Sequence, residues 1–209
     1  GVVVSSRTEG TLNELLDFLG PLKDKVTSVK ADVTDEKSVR DLVQKAVEKL
    51  GRIDILLNIV GAYAGGTDVA TTEEALWDNM MNVNLKSVFL CSKTVLPYMM
   101  RQNYGKIVSV SSITAVERAR RAKSAAYAVS KAGVIVLTEA IAVEVRNFDI
   151  TVNGVLPSAI DTLQNRRTMT KADFSKWVDP ADIAEVILFL VSDASKVTSG
   201  ASVPVYGKA

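Results

Sequence analysis

Histidine is absent from this chain of 209 residues, and cysteine occurs once, at Cys91. Without an imidazole, Ser-His-Asp and Cys-His catalysis and most zinc sites are excluded. Acid-base work then falls to tyrosine, lysine or carboxylates. A lone thiol forms neither an internal disulfide nor a cysteine cluster, so no metal site is expected and Cys91 reads as buried filler in an apolar helical pattern. The same scarcity points to a reducing, cytoplasmic setting. Neither sign of charge is in excess: 25 Lys and Arg stand against 24 Asp and Glu, a net +1. The chain therefore lacks the broad attraction that nucleic acid or an anionic membrane requires, and neither is expected as a partner. No apolar run is expected to approach the roughly 20 residues that span a bilayer, and no signal-peptide pattern opens the sequence. Internal repeats and low-complexity tracts are missing as well.

What is present suits one α/β domain over residues 1–209, with 47% hydrophobic residues to fill its core. Six strand-like runs occur at Val2 to Ser5, Val26 to Ala31, Ile53 to Val60, Lys106 to Ser111, Ile150 to Leu156 and Ala201 to Tyr206. Between them lie helical patterns. The first carries Leu12, Leu15, Leu16 and Leu19 and stops at Gly20-Pro21; the second can be capped by Thr34 and takes Asp35 and Glu36 in its first turn. Longer helices are expected over Thr72 to Gln102 and Ala125 to Arg146, and a shorter one over Pro180 to Val191. Strands rich in β-branched residues alternating with helices of this length predict a doubly wound parallel sheet with helices on both faces. The polar stretch 161–179 follows a strand's carboxyl end, where such sheets bind ligands, and reads as a substrate lid or loop within the domain.

Tyr127 and Lys131 stand four apart in Tyr-Ala-Val-Ser-Lys, so a helix places both on one face. An ammonium beside a phenol favours the phenolate and is expected to lower the tyrosine pKa from about 10 towards working pH. Fifteen positions earlier, Ser112 follows the strand ending at Ser111. Further landmarks come in order: Asp32-Val33-Thr34-Asp35 after one strand, Asn58-Ile59-Val60-Gly61 after the next, Val83-Asn84 in a long helix, and Val152-Asn153 leading to Pro157-Ser158-Ala159-Ile160-Asp161-Thr162. With these landmarks the chain resembles the short-chain dehydrogenases/reductases over essentially its whole length.

That resemblance implies a Rossmann-type fold and hydride transfer between a nicotinamide cofactor and a carbonyl or alcohol substrate. It implies that Ser112 polarises the substrate carbonyl, Tyr127 transfers the proton, Lys131 tunes Tyr127 and holds the nicotinamide ribose, and Asn84 supports a water-linked proton relay. Asn58, Val60 and Gly61 would line the cofactor crevice, Gly61 by letting backbone approach it. Pro157, Ile160 and Thr162 would lie beside the nicotinamide, and Asp32 and Val33 near the adenine. Where the family has Pro-Gly this chain has Pro157-Ser158, which removes a position free to adopt positive φ. The residues Ser6 and Arg7 occupy the place that selects the cofactor form; arginine there suits the 2′-phosphate of NADP, with NAD as the alternative.

The family's Thr-Gly-x-x-x-Gly-x-Gly turn, which cradles the pyrophosphate, and the strand and helix around it do not occur in the sequence. The expectation is that the natural chain carries roughly 30 further N-terminal residues as a βα unit, whose strand would lie between the strands at Val2 and Ile53. A competing alignment makes Val2 to Ser5 the central strand and Ser5 to Gly10 a degenerate phosphate turn.

A ketone or 3-oxoacyl reductase is the first reading. The segment 161–177, with Asp161-Thr162, Asn165-Arg166, Met169, Ala172 to Ser175 and Trp177, is similar to that of dihydropteridine reductases, which makes a pterin reductase the alternative. A non-catalytic dinucleotide sensor or scaffold is a third. Small residues around Tyr127, namely Ala125, Ala126, Ala128, Ala132 and Gly133, permit close helix approach, and the family resemblance implies a homotetramer or homodimer.

Overall fold

The β-branched runs form six strands in two parallel units. The computed structural model describes residues 1–208. Strand β1 (Val2–Ser6) pairs with β2 (Val26–Lys30), Val2 opposite Val26. Strands β3 (Ile55–Asn58), β4 (Gly105–Val110), β5 (Ile150–Pro157) and β6 (Ser202–Val205) pair in that order, all parallel. Among the described residues β1 pairs with β2 alone, so it does not take the central place that the competing alignment gave it.

Parallel neighbours need crossovers, and helices supply each of them. These are α1 (Glu9–Leu19), α2 (Glu36–Leu50), α3 (Glu74–Met81) with α4 (Ser87–Gln102), α5 (Ala125–Glu144), and finally α6 (Leu163–Thr168) with α7 (Pro180–Val191). Every residue of β5 is buried, as expected of a strand covered on both faces. Side-chain alternation divides the core accordingly. Ile107 and Val152 face a cluster shared with Val39 and Val43 of α2 and Leu90, Val95 and Met99 of α4, against which Val3 of β1 also packs. Val108 and Val155 face the opposite cluster, with Ile183, Ile187 and Leu190 of α7. The first cluster joins the two sheet units. Each fully buried valine or leucine in it stabilises the fold by about 1.5–3 kcal/mol relative to exposure.

Three local expectations need correction. Helix α2 is capped by Asp35, whose carboxylate accepts from the Ser38 amide at 2.7 Å. Thr34 cannot serve, because its hydroxyl is spent on Asp32 Oδ1 at 2.7 Å. The long helix foreseen over Thr72 to Gln102 runs from Glu74 to Gln102 but is not regular: a π-turn, Asn82–Lys86, lies between α3 and α4. Lastly, α5 is long and apolar enough to cross a membrane by length and composition. One of its faces nonetheless carries the buried Lys131 and is packed on β5. The segment 161–179 contains α6 and a 3₁₀ turn at Phe174–Lys176, and is tied down by a bridge between Ile160 and Val178.

Candidate active site

The carboxyl ends of β4 and β5 and the first turns of α5 bring the chemistry-bearing residues together. Ser112 lies two residues beyond β4, buried, and its Oγ accepts from the Thr114 amide at 3.2 Å, which fixes the turn that carries it. Ser111 acts differently, since its hydroxyl donates to the Lys131 carbonyl at 2.7 Å and straps α5 to the strand. Tyr127 and Lys131 follow on successive turns of α5, and the Lys131 ammonium donates to the Val110 carbonyl at 2.8 Å.

Asn84 sits in the π-turn, wholly buried. Its Oδ1 accepts from the Ala62 amide at 2.8 Å, and its Nδ2 donates to the Ala62 carbonyl and to Ser130 Oγ, both at 3.0 Å. The carboxamide thus clasps the loop after β3 to the catalytic face of α5. A π-turn offers a carboxamide here at the expense of regular helix bonding, a pattern common at functional sites. Gly61 lies against the same two groups. A Cβ at that position would stand 3.0 Å from Lys131 Nζ and 3.1 Å from Asn84 Oδ1, so the glycine makes room for protein side chains.

Burial dominates the electrostatics. It pulls the Lys131 ammonium down to about 8, with no carboxylate to offset it. Burial also pushes the Tyr127 phenol above its ordinary value; the Ser112 hydroxyl opposes that shift and the Tyr63 hydroxyl adds to it. The expectation that Lys131 draws Tyr127 down towards neutral pH is therefore reversed. Desolvation is the largest influence on each of the two groups. Burial raises the Cys91 thiol to about 11, which leaves it inert as a nucleophile.

The residues expected around a cofactor line the carboxyl edge of both sheet units. Ser6 ends β1, and Arg7 is exposed next to it with no salt-bridge partner among the described residues. Asp32 accepts from the side chain and amide of Thr34, which hold its carboxyl below the usual range, with Arg7 and Lys86 adding to the effect. Val33 is buried in the first core cluster, so only its backbone is free to face a ligand. Asn58 directs its amide to Ser109 Oγ at 3.1 Å and Ser92 Oγ at 3.4 Å, knitting β3 to β4 and α4, while Val60 is exposed. Pro157 ends β5, Ile160 packs on the second cluster, and Thr162 caps α6 by accepting from the Asn165 amide. Ser158 needs no left-handed backbone; its hydroxyl donates to the Tyr206 carbonyl at 2.8 Å. Of the small residues around Tyr127, Ala126 and Ala128 are buried within the chain and Gly133 lies against Leu85, so they serve internal packing.

Sequence reasoning missed one residue. Tyr63 packs edge-on against Tyr127, with ring centroids 4.9 Å apart and planes at 76°. The two are 64 positions apart, and no local pattern joins them.

A family model described as enoyl-(acyl carrier protein) reductase matches residues 1–207. The 3-oxoacyl-[acyl-carrier-protein] reductase FabG of Thermotoga maritima is 35% identical over 214 residues, covering 99% of this chain and 86% of that protein. Among solved structures, a short-chain dehydrogenase/reductase from Burkholderia xenovorans is 32% identical with a TM-score of 0.87, covering 98% of this chain and 82% of that one. ElxO with NADP bound superimposes with a TM-score of 0.91 at 27% identity, covering 98% of this chain and 86% of its own. None of these relatives is named as a pterin reductase, so the pterin alternative gains no support. With the serine, tyrosine and lysine gathered at the sheet edge and these likenesses along nearly the whole length, the chain belongs to the short-chain dehydrogenase/reductase family of oxidoreductases.

Proposed function

We propose that the protein is an NADP(H)-dependent reductase of ketones or 3-oxoacyl compounds, with Tyr127 as proton donor. The observation that carries this reading is the desolvated Tyr127 beside Ser112, one helical turn from the buried Lys131. A phenol held above its ordinary pKa stays protonated at neutral pH, the form that reduction consumes. As charge develops on the carbonyl oxygen, the Ser112 hydroxyl donates to it and Tyr127 delivers the proton.

The chain's residues fit a dinucleotide. Lys131 Nζ has three donors, and Val110 takes one, leaving two for ribose hydroxyls. Arg7 offers an exposed guanidinium for a 2′-phosphate, and Tyr127, Pro157, Ile160 and Thr162 would surround the nicotinamide end. When bound, the cofactor supplies the hydride. The solved structure of ElxO with NADP supports the choice of cofactor, and the FabG relatives support the substrate class. Asn84 serves here by holding the loop and α5 in register, a positioning role compatible with the proton relay expected of it.

We also infer a homo-oligomer formed through α5. Val129, Val136 and Val143 recur at seven-residue spacing on one helix face, 45%, 64% and 61% exposed, and Phe89 of α4 is exposed as well.

The test is steady-state turnover of NADPH and NADH with a panel of ketones and 3-oxoacyl thioesters, for the native protein and Tyr127→Phe. The variant is expected to lose turnover by about 10²–10⁴-fold while binding NADPH as before. Binding without turnover across the panel in the native protein would instead establish a dinucleotide sensor.

A further inference from the structure

We infer that Tyr63 sets substrate specificity, its ring forming the aromatic wall of the carbonyl pocket over Tyr127. The inference rests on Tyr127 being the proton donor.

Its loop is built to present one ring. On the near side, Ala62 is clamped by both its amide and its carbonyl to the buried Asn84 carboxamide. On the far side, Gly66 adopts φ 102° and donates its amide to the Lys123 carbonyl at 2.7 Å, just before the first turn of α5. Only Tyr63, Ala64 and Gly65 lie between the two clamps. Gly65 is the space into which the phenol folds, since a Cβ there would stand 2.5 Å from Tyr63 Oη and 3.0 Å from Cζ. The backbone is therefore held from both sides while the side chain is 69% exposed.

An aromatic this exposed adds little to the core, and its one aromatic partner is the phenol of Tyr127. An edge-to-face contact is weak enough for a substrate to replace. A carbonyl compound approaching Tyr127 and Ser112 must place one substituent against the Tyr63 ring. The wall thus favours a small or flat apolar substituent on that side of the carbonyl and rejects a bulky one. The hydroxyl of Tyr63 has no hydrogen-bond partner among the described residues, so the ring is the operative part.

The test compares kcat/KM for an aryl ketone with a bulky substituent and for a small methyl ketone, in the native protein, Tyr63→Ala, Tyr63→Phe and Tyr63→Trp. Tyr63→Ala is expected to raise the bulky-to-small ratio at least about tenfold, the scale of one to two kcal/mol of steric discrimination, chiefly through KM. Tyr63→Phe should leave the ratio within about twofold and Tyr63→Trp should lower it, with NADPH binding unchanged in all three. An unchanged ratio in Tyr63→Ala overturns the assignment, as does an equal change in Tyr63→Phe. If Tyr63→Ala fails to fold, Tyr63→Trp decides alone, an unaltered ratio again overturning it. A native protein that turns over none of the panel sinks the reductase reading, and this assignment with it; active protein whose selectivity ignores residue 63 sinks the assignment only.

Discussion

Replacing Lys131 with methionine should abolish turnover and yet make the cofactor-free protein more stable at neutral pH. Lys131 is 4% exposed and its ammonium is held at about 8 by burial, against an ordinary value of 10.5. At pH 7 the buried ammonium is charged, and the difference of about 2.5 pH units corresponds to roughly 3 kcal/mol of destabilisation at 1.36 kcal/mol per unit. Methionine fills a similar volume without the charge. It forfeits the hydrogen bond to the Val110 carbonyl, worth about 1 kcal/mol. The net gain is about 2 kcal/mol, or about 5 °C in Tm for a domain of this size. The sign with pH is as informative as the size. Between pH 8 and 10.5 the unfolded state holds a proton on this lysine that the folded state has released, so stability of the native protein rises through that window. The advantage of Lys131→Met must shrink correspondingly. Thermal unfolding of both proteins at about pH 7 and about pH 9.5, on either side of the folded-state value, checks both the size and the sign. A Tm that does not rise at neutral pH, or a gain of equal size under both conditions, refutes the prediction.

The remaining expectations concern other parts of the site. Gly61→Ala places a methyl 3.0 Å from Lys131 Nζ and 3.1 Å from Asn84 Oδ1; kcat should fall about tenfold or more, the scale expected when a catalytic group is displaced, and native kinetics would show that the pocket yields freely. Arg7→Glu should raise KM for NADPH about tenfold or more while sparing NADH, since a carboxylate repels the 2′-phosphate; parallel losses for both cofactors would remove Arg7 from that role. Val136→Glu, at a position 64% exposed on α5, should lower the assembly state seen by light scattering after gel filtration, because a charge in an apolar interface is left unpaired. An unaltered mass would place the contact elsewhere.

Much of the fold was legible because it is local. Runs such as Ile150 to Leu156 announce a fully buried strand, and Leu12 to Leu19 followed by Gly20-Pro21 announces a helix and its end. The site was legible where it depends on spacing: Tyr127 and Lys131 do share a face of α5, and Ser112 does follow β4. What escaped depends on fine local geometry or on packing between distant segments. The competition for the Thr34 hydroxyl that hands the α2 cap to Asp35 is decided by fine geometry around the Asp32 carboxylate. The direction of the Tyr127 shift depends on how much water the folded chain removes, which a four-residue motif does not encode. Gly61 was read as clearance for a ligand; that its missing Cβ also leaves room for the ammonium and carboxamide of the chain itself appears only in the folded packing.

The π-turn at Asn82–Lys86 carries a consequence for how such a site tolerates change. Each residue of an α-helix advances the direction of its side chain by about 100°, so one extra residue in a turn rotates everything beyond it by that angle. The π-turn therefore phases the faces of α3 and α4 separately, with Asn84 at the seam where the phase is reset. Shortening this seam by one residue would make the helix more regular and would swing Asn84 away from Ala62 and Ser130. The irregularity lets the faces of α3 and α4 be aimed separately, while Asn84 between them clasps the loop after β3 to α5.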